Sequence, residues 1–187
     1  DDTANYNTAY GIQAMDAITT GDENTAVGNQ ALSTDTTGST NTALGYQALR
    51  LNTTGANNVA LGAFALGANT TADSNIAIGQ SALAANTTGT RNLAIGKGAY
   101  VASDTENDNI AIGFEAMTTN TAGGTKNVAI GNYALDAQTS GDTNVAIGYD
   151  AMTSNTTSSE NTAVGTQALY TNTTGATNVA VGMNALY

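Results

Sequence analysis

The 187-residue sequence contains no cysteine, proline, histidine or tryptophan. The absence of cysteine excludes disulfides and removes any redox evidence about the compartment. Without histidine or cysteine, the chain lacks the side chains that most often act as nucleophiles or general bases at neutral pH. Serine and threonine are abundant, but no candidate base recurs at a fixed spacing from them, so we expect their hydroxyls to solvate turns and strand faces. The composition therefore predicts no catalytic residues.

Two short patterns resemble ligand sites without meeting their requirements. Asp104, Glu106 and Asp108 alternate with polar residues, but a calcium loop needs glycine at its sixth position, where this chain has Asn109. We interpret the segment as a solvated acidic turn. Residues 123–126 lack the spaced glycines of a phosphate loop. The sequence therefore predicts neither a metal site nor a cofactor.

Cations are scarce and scattered. Acidic residues number 15 and the formal net charge is −11. Phosphate binding needs clustered cations, so we expect no nucleic acid partner. No apolar run reaches the roughly 18 residues of a membrane span, which predicts no membrane insertion. The four cations are Arg50, Arg91, Lys97 and Lys126.

What the chain does contain is a repeat. The motif Asn58–Gly62 consists of asparagine, a small or β-branched residue, alanine, an apolar residue and glycine, and it occurs eleven times. The step is 17 residues everywhere except one step of 18. Such a period predicts a single repeat array over residues 1–187. The motifs begin at Asn7, Asn24, Asn41, Asn58, Asn75, Asn92, Asn109, Asn127, Asn144, Asn161 and Asn178.

Each unit is predicted to be one coil of two short strands and two turns. The apolar second and fourth motif residues alternate with alanine, which is the period of a strand. The later run Asn52–Gly55 is turn chemistry, and a second short segment carries Ala48 and Leu49. An α-solenoid is disfavoured because the runs between glycines are too short for stable helices. We therefore predict an all-β fold: a parallel β-solenoid of eleven 17-residue coils, forming a rod about 50 Å long.

Two columns hold alanine in every copy: the third motif residue (first alanine column) and the third residue after the motif glycine (second alanine column). A position that never accepts a larger residue faces a close surface, either the opposite wall of the coil or a neighbouring chain. We expect positions such as Val59, Leu61 and Leu66 to fill the coil interior, and at least one alanine column to lie at a chain–chain contact. Leucine in the first column should then overpack that contact.

Asparagine also forms columns. One is the motif asparagine, and the other, the second asparagine column, lies in the turn. Because stacked coils sit about 4.8 Å apart, identical amides are expected to form hydrogen-bonded ladders. Five residues of the second column begin Asn-Thr-Thr sequons, which would accept glycans in a eukaryotic secretory route, but the ladder explains them without that assumption. The second column holds Asn52, Asn69, Asn86, Asn120, Asn155 and Asn172.

The residues just after the motif glycine vary most and form a ridge along the rod. Exposed aromatic residues there suit contact with a receptor or glycan. Ordinary surface variation and packing between chains are the alternatives. The candidate surface-contact ridge consists of Tyr46, Gln47, Phe64, Phe114, Tyr133 and Tyr149.

The motifs Asn127–Gly131 and Asn144–Gly148 resemble the head repeats of trimeric autotransporter adhesins. The longer unit, Asn41–Leu49 followed by Asn52–Gly55, is similar to repeats of bacteriophage tail fibres. The resemblance covers nearly all of Asn7–Tyr187. It implies a parallel β-roll, three chains around a shared axis, a role in surface attachment, and an extracellular, cell-surface or virion location.

Three functions therefore remain open. The first is a structural fibre segment that self-associates and spaces or presents attachment surfaces, and the second is an adhesin head that binds a host receptor or glycan along the ridge. An ice-binding solenoid is disfavoured because the threonines at the second motif position, as at Thr25 and Thr42, give way elsewhere to valine or isoleucine. The last motif, Asn178–Gly182, carries no polar cap. That favours an excerpt of a longer rod over a head-to-tail filament subunit.

Overall fold

The computed structural model describes residues 4–120 and 123–187, so residues 1–3 and 121–122 of the predicted array lie outside the description. The described residues form one sheet of eleven parallel strands in chain order and contain no helix. The predicted all-β parallel β-solenoid is confirmed. The strands are β1 (Thr8–Tyr10), β2 (Thr25–Val27), β3 (Thr42–Leu44), β4 (Val59–Leu61), β5 (Ile76–Ile78), β6 (Leu93–Ile95), β7 (Ile110–Ile112), β8 (Val128–Ile130), β9 (Val145–Ile147), β10 (Thr162–Val164) and β11 (Val179–Val181).

The strands stack without any slip in register. Each motif alanine pairs with the motif alanine of the next coil, as Ala60 does with Ala77. The coil with the extra residue keeps the same phase, because Ala111 of β7 pairs with Ala129 of β8. The insertion is therefore absorbed outside the strands, as the sequence predicted.

The coil interior is lined by alanine and leucine. Ala60 and Ala65, from the first and second alanine columns, are completely buried, and so is Leu66. Because successive strand residues point to opposite faces, the neighbours of each motif alanine point outward. The prediction for Leu66 is confirmed, whereas the prediction that Val59 and Leu61 fill the interior is wrong. Neither alanine column is available for a chain–chain contact, since a single chain buries both from Ala26 to Ala168.

The second predicted strand of each coil is also wrong. In the third coil Gln47 and Leu49 have φ of 54° and 52°, and such left-handed residues interrupt an extended run. Contact between coils persists nonetheless, because the Leu49 N–H donates to the Ala65 carbonyl at 2.9 Å. This wall of the coil thus consists of turns that are hydrogen-bonded to the equivalent turns of the next coil.

The motif glycine is required by both dihedral angle and space. Gly62 has φ of 132°, and a Cβ there would lie 2.6 Å from the carbonyl oxygen of Gly79. Glycine alone adopts such a φ readily and tolerates this approach of the next coil. The glycine column therefore sets the close stacking of the coils.

The buried asparagines satisfy the backbone of the coil. Asn58 donates from Nδ2 to the Ala72 carbonyl at 2.8 Å, and its Oδ1 accepts the Asn75 N–H at 2.9 Å. In the second asparagine column, Asn69 Nδ2 donates to Asn52 Oδ1 at 2.7 Å and to the Ala72 carbonyl at 3.1 Å. The predicted ladders are confirmed. They supply the partners that buried backbone groups need.

Burial of these amides also bears on the sequons. Asn52, Asn69, Asn86 and Asn155 are completely buried, so their nitrogens are inaccessible in the folded coil. Their neighbouring threonines do more than solvate the turn. The Thr53 hydroxyl donates to the Thr70 carbonyl at 3.0 Å in the next coil. The Asn-Thr-Thr run is thus explained by stacking.

One carboxylate interrupts the second asparagine column. Asp35 is completely buried, and its Oδ1 accepts the Gly38 N–H at 2.8 Å. Burial raises the pKa of Asp35 from 3.8 to about 6, since desolvation penalises the charged form more than these hydrogen bonds favour it. Asp35 therefore opposes folding when it is ionised.

We expect Asp35→Asn to raise the melting temperature at pH 8 by about 2–4 °C and to flatten the pH profile. The native state binds the Asp35 proton more tightly than the unfolded chain does. Its stabilisation is present below the unfolded pKa of 3.8 and is lost as the pH rises through about 6. Thermal unfolding between pH 4 and 8 measures the effect. Exposed Asp73 provides the matched control, Asp73→Asn, and equal pH profiles for both variants would contradict the prediction.

Candidate functional site

The prediction of a solvated acidic turn is wrong for Glu106, whereas Asp104 is exposed and Asp108 partly exposed. Glu106 is 3% exposed, and its Oε2 accepts the N–H groups of Asp104 at 2.8 Å and Thr105 at 3.1 Å. Its Oε1 accepts the Gly123 N–H at 3.1 Å. The carboxylate thus organises two turns of backbone. The described residues contain no group of three or more His, Cys, Asp or Glu side chains arranged to hold a metal ion.

Tyr100 is a buried residue that the sequence did not single out. It occupies the position that is leucine or methionine in most other coils. Its hydroxyl oxygen accepts hydrogen bonds from Nδ2 of Asn109 at 2.6 Å and from Nδ2 of Asn120 at 2.9 Å. Burial raises the pKa of Tyr100 further above its ordinary value. Because the hydroxyl is enclosed and occupied by amides, its role is to hold the two asparagines. The sequence signal that could have identified Tyr100 is its hydroxyl-bearing ring at a position where the neighbouring coils have Leu83 and Met117.

The predicted ridge separates into two aromatic clusters. Tyr46 and Phe64 meet edge to face with centroids 5.2 Å apart. Tyr133 lies 5.5 Å from Phe114 and 6.0 Å from Tyr149. Tyr46, Phe114 and Tyr149 are the first residue after the motif glycine. Phe64 and Tyr133 are the second, so each contact joins neighbouring columns of adjacent coils. The role of the ridge as a contact surface stays a prediction.

Gln47, the remaining ridge residue, ends an amide ladder. Its Nε2 donates to Gln30 Oε1 at 2.6 Å, and Gln30 Nε2 donates to Gln13 Oε1 at 3.0 Å. The next residue in this column is Phe64, which cannot continue the ladder. Gln47 Oε1 therefore accepts no hydrogen bond from the described residues.

Beside the Tyr46–Phe64 cluster lies a groove of about 410 Å³. It spans three successive coils and opens where the side chains are small. Sequence reasoning missed Arg50 and Gly67, because their significance depends on which residues stack beside them. The groove is lined by Gln47, Arg50, Leu51, Phe64, Gly67, Ala68, Ser81 and Ala84.

The outer face of the sheet is a second candidate surface. It consists of the second and fourth motif residues, none of which is charged in any copy. Leu44 is 49% exposed, Ile76 39%, Ile130 37% and Ile147 36%. Two uncharged columns thus run along the sheet, about 48 Å at about 4.8 Å per strand. The fourth-residue column is hydrophobic throughout, and the second-residue column holds threonine in four copies.

Comparison with known proteins gives no further guide to this site. No family model, curated protein or solved structure matches the chain. The described residues include no helix with the length and apolarity to cross a bilayer. The groove and the outer face of the sheet are therefore the features that bear on function.

Proposed function

We propose that the chain is a structural segment of an extracellular or virion fibre, which self-associates and spaces or presents attachment surfaces. The uncharged apolar outer face of its sheet is the observation that carries the proposal. All-parallel sheets ordinarily have both faces covered. Here the inner face packs on the coil interior, while none of the residues that the structure describes covers the outer face.

A second copy of this chain is the partner that best fits that face. Side chains repeat along it every 4.8 Å or so, and another copy presents the same spacing. The charge of −11 lies outside the two outer-face columns, so copies can bring these columns together without opposing carboxylates at the contact. Three chains around a shared axis, the number that the resemblance implies, would enclose one outer face from each.

The interior suits a load-bearing rod. Each coil is tied to the next by strand pairing, by the Leu49-type backbone bonds and by the asparagine ladders. In a solenoid such nearest-neighbour contacts supply the stability. The ridge and the groove lie outside the outer face and remain free to contact a receptor or glycan.

Lysine substitutions on the outer face test the assembly. We expect the triple variant Leu61→Lys, Ile78→Lys and Ile95→Lys to remain folded, since these side chains point away from the interior. Its chains should separate into monomers of about 18.7 kDa, because buried cations without partners oppose association. Sedimentation equilibrium of the unaltered chain should give three times the monomer mass.

The matched control adds three lysines at exposed turn residues of neighbouring coils, as Thr54→Lys, Thr71→Lys and Thr88→Lys. It has the same change in charge and should keep the assembled mass. A monomeric mass for the unaltered chain at high concentration would refute self-association. Equal dissociation of both triple variants would show that the outer face is not the contact.

A further inference from the structure

The charge distribution around the groove differs from that of the rest of the chain. Residues 41–91 contain one acidic residue, Asp73, and two arginines, whereas the remaining residues hold 14 acidic residues and two lysines. Beyond a Debye length of about 8 Å at physiological ionic strength, exposed charges are largely screened. Arg91 is paired with Asp108 and is absent from the groove wall, so Arg50 is the cation that an anion in the groove meets.

Arg50 differs from Arg91 in its surroundings. Arg91 forms a bidentate pair with Asp108, at 2.6 Å from Nε to Oδ1 and 2.9 Å from the second nitrogen to Oδ2. Among residues 4–120 and 123–187, no carboxylate lies within ion-pair distance of Arg50. A guanidinium presents a planar fork of donors that matches a carboxylate. Its place in the groove wall offers that fork to a ligand.

Phe64 supplies an apolar surface in the same groove. Its ring is 39% exposed and lies in the groove wall. Tyr46 holds it edge to face, with an angle of 89° between the ring planes. A ring fixed in this way presents a flat apolar surface with little loss of side-chain freedom on binding.

Two further residues of the groove wall, Gln47 and Ser81, can form hydrogen bonds with hydroxyl groups of a ligand. The Gln47 amide oxygen accepts no hydrogen bond from the part of the chain that the structure describes, and Gln47 Nε2 donates within the glutamine ladder. Ser81 contributes a hydroxyl to the same wall. Gly67 and Ala84 also line the groove and contribute little side-chain volume to it. The groove volume lies within the range of ordinary ligand sites, about 300–1,000 Å³.

We propose that this groove binds a carboxylated pyranose, the sugar acid of an acidic carbohydrate. The carboxylate pairs with Arg50, the apolar face of the ring packs on Phe64, and sugar hydroxyls bond to Gln47 and Ser81. A neutral apolar ligand would leave the Arg50 charge desolvated and unpaired. This inference goes beyond the structural role, and it does not depend on association between chains.

Ligand-observed NMR titration of the whole chain tests the site. The probes are a sialylated trisaccharide and a galacturonic acid disaccharide, which separate the two sources of sugar acid, with lactose as the neutral counterpart. We expect millimolar binding of at least one acidic probe and much weaker binding of lactose. Arg50→Ala should weaken the acidic probe at least about tenfold, and binding should fall as salt is raised.

Arg91→Ala is the matched control, because it removes the same charge from an exposed residue outside the groove. It should leave the affinity within about twofold. Phe64→Ala, with an unchanged circular dichroism spectrum, should weaken both acidic probes. Equal losses in the two arginine variants, equal binding of lactose, or no binding of either acid would overturn the proposal. So would a change of assembled mass in Arg50→Ala without saccharide binding, which would make the groove a chain–chain contact.

Discussion

Leucine at four consecutive places of the first alanine column is expected to prevent the chain from folding. These methyl groups are completely buried between the strand and the opposite wall of the same coil. Each added side chain has no space to enter, and overpacking costs about 1–3 kcal/mol per site. The total approaches or exceeds the net stability of a typical domain, about 5–15 kcal/mol. The variant carries Ala43→Leu, Ala60→Leu, Ala77→Leu and Ala94→Leu.

Loss of the β-sheet circular dichroism signal and of a cooperative melting transition measures this effect. The control enlarges the neighbouring outward residues of the same strands, as Thr42→Leu and Val59→Leu. It should retain the spectrum and melt within a few degrees of the unaltered chain, because the outer face has room. A folded alanine variant would show that the walls of the coil are not in contact at this column.

Serine in place of Asn58 is expected to lower the free energy of unfolding by about 1.5–4.5 kcal/mol. The shorter side chain cannot reach both partners of the amide. It leaves the Ala72 carbonyl and the Asn75 N–H without the hydrogen bonds of 2.8 Å and 2.9 Å that they have now. The unpaired Asn75 N–H costs about 1–3 kcal/mol, and the Ala72 carbonyl, which keeps its bond from Asn69 Nδ2, loses about 0.5–1.5 kcal/mol. Chemical denaturation of the whole chain measures the change.

The adjacent residue supplies the control. Asn57 is exposed and has φ of 60°, and Ser74 occupies the equivalent place in the next coil with φ of 62°. Asn57→Ser should therefore change the free energy of unfolding by less than about 1 kcal/mol. Similar losses at both positions would mean that the asparagine ladder contributes nothing beyond a surface amide.

The sequence by itself determined the period, the parallel sheet, its register and the asparagine ladders. The reason is that a strict repeat places equivalent residues one above another. Once Ala60 stands over Ala77, Asn58 must stand near Asn75, and their amides can bond between coils. The sequence also predicted that the extra residue would leave the register unchanged, since a turn accepts an insertion that strand pairing does not.

Only the tertiary structure decided which face of each strand turns inward. Alternation of Val59, Ala60 and Leu61 shows that two faces differ, but it does not say which face the chain closes upon. The left-handed residues Gln47 and Leu49 determine that closure, and the resulting coil has room for alanine alone beside the strand. The larger residues are left outside, where they form the surface on which the structural proposal rests.

The candidate binding groove was likewise beyond the sequence, although part of its wall was predicted. Gln47 and Phe64 of that wall were recognisable as variable ridge residues. Arg50 and Gly67 were not, because each is unremarkable within its own coil. The groove lies across three stacked coils, at a position where Gly67 has no side chain to fill the space. Such a site depends on neighbours one turn away in space, which the chain brings together only when it closes and stacks.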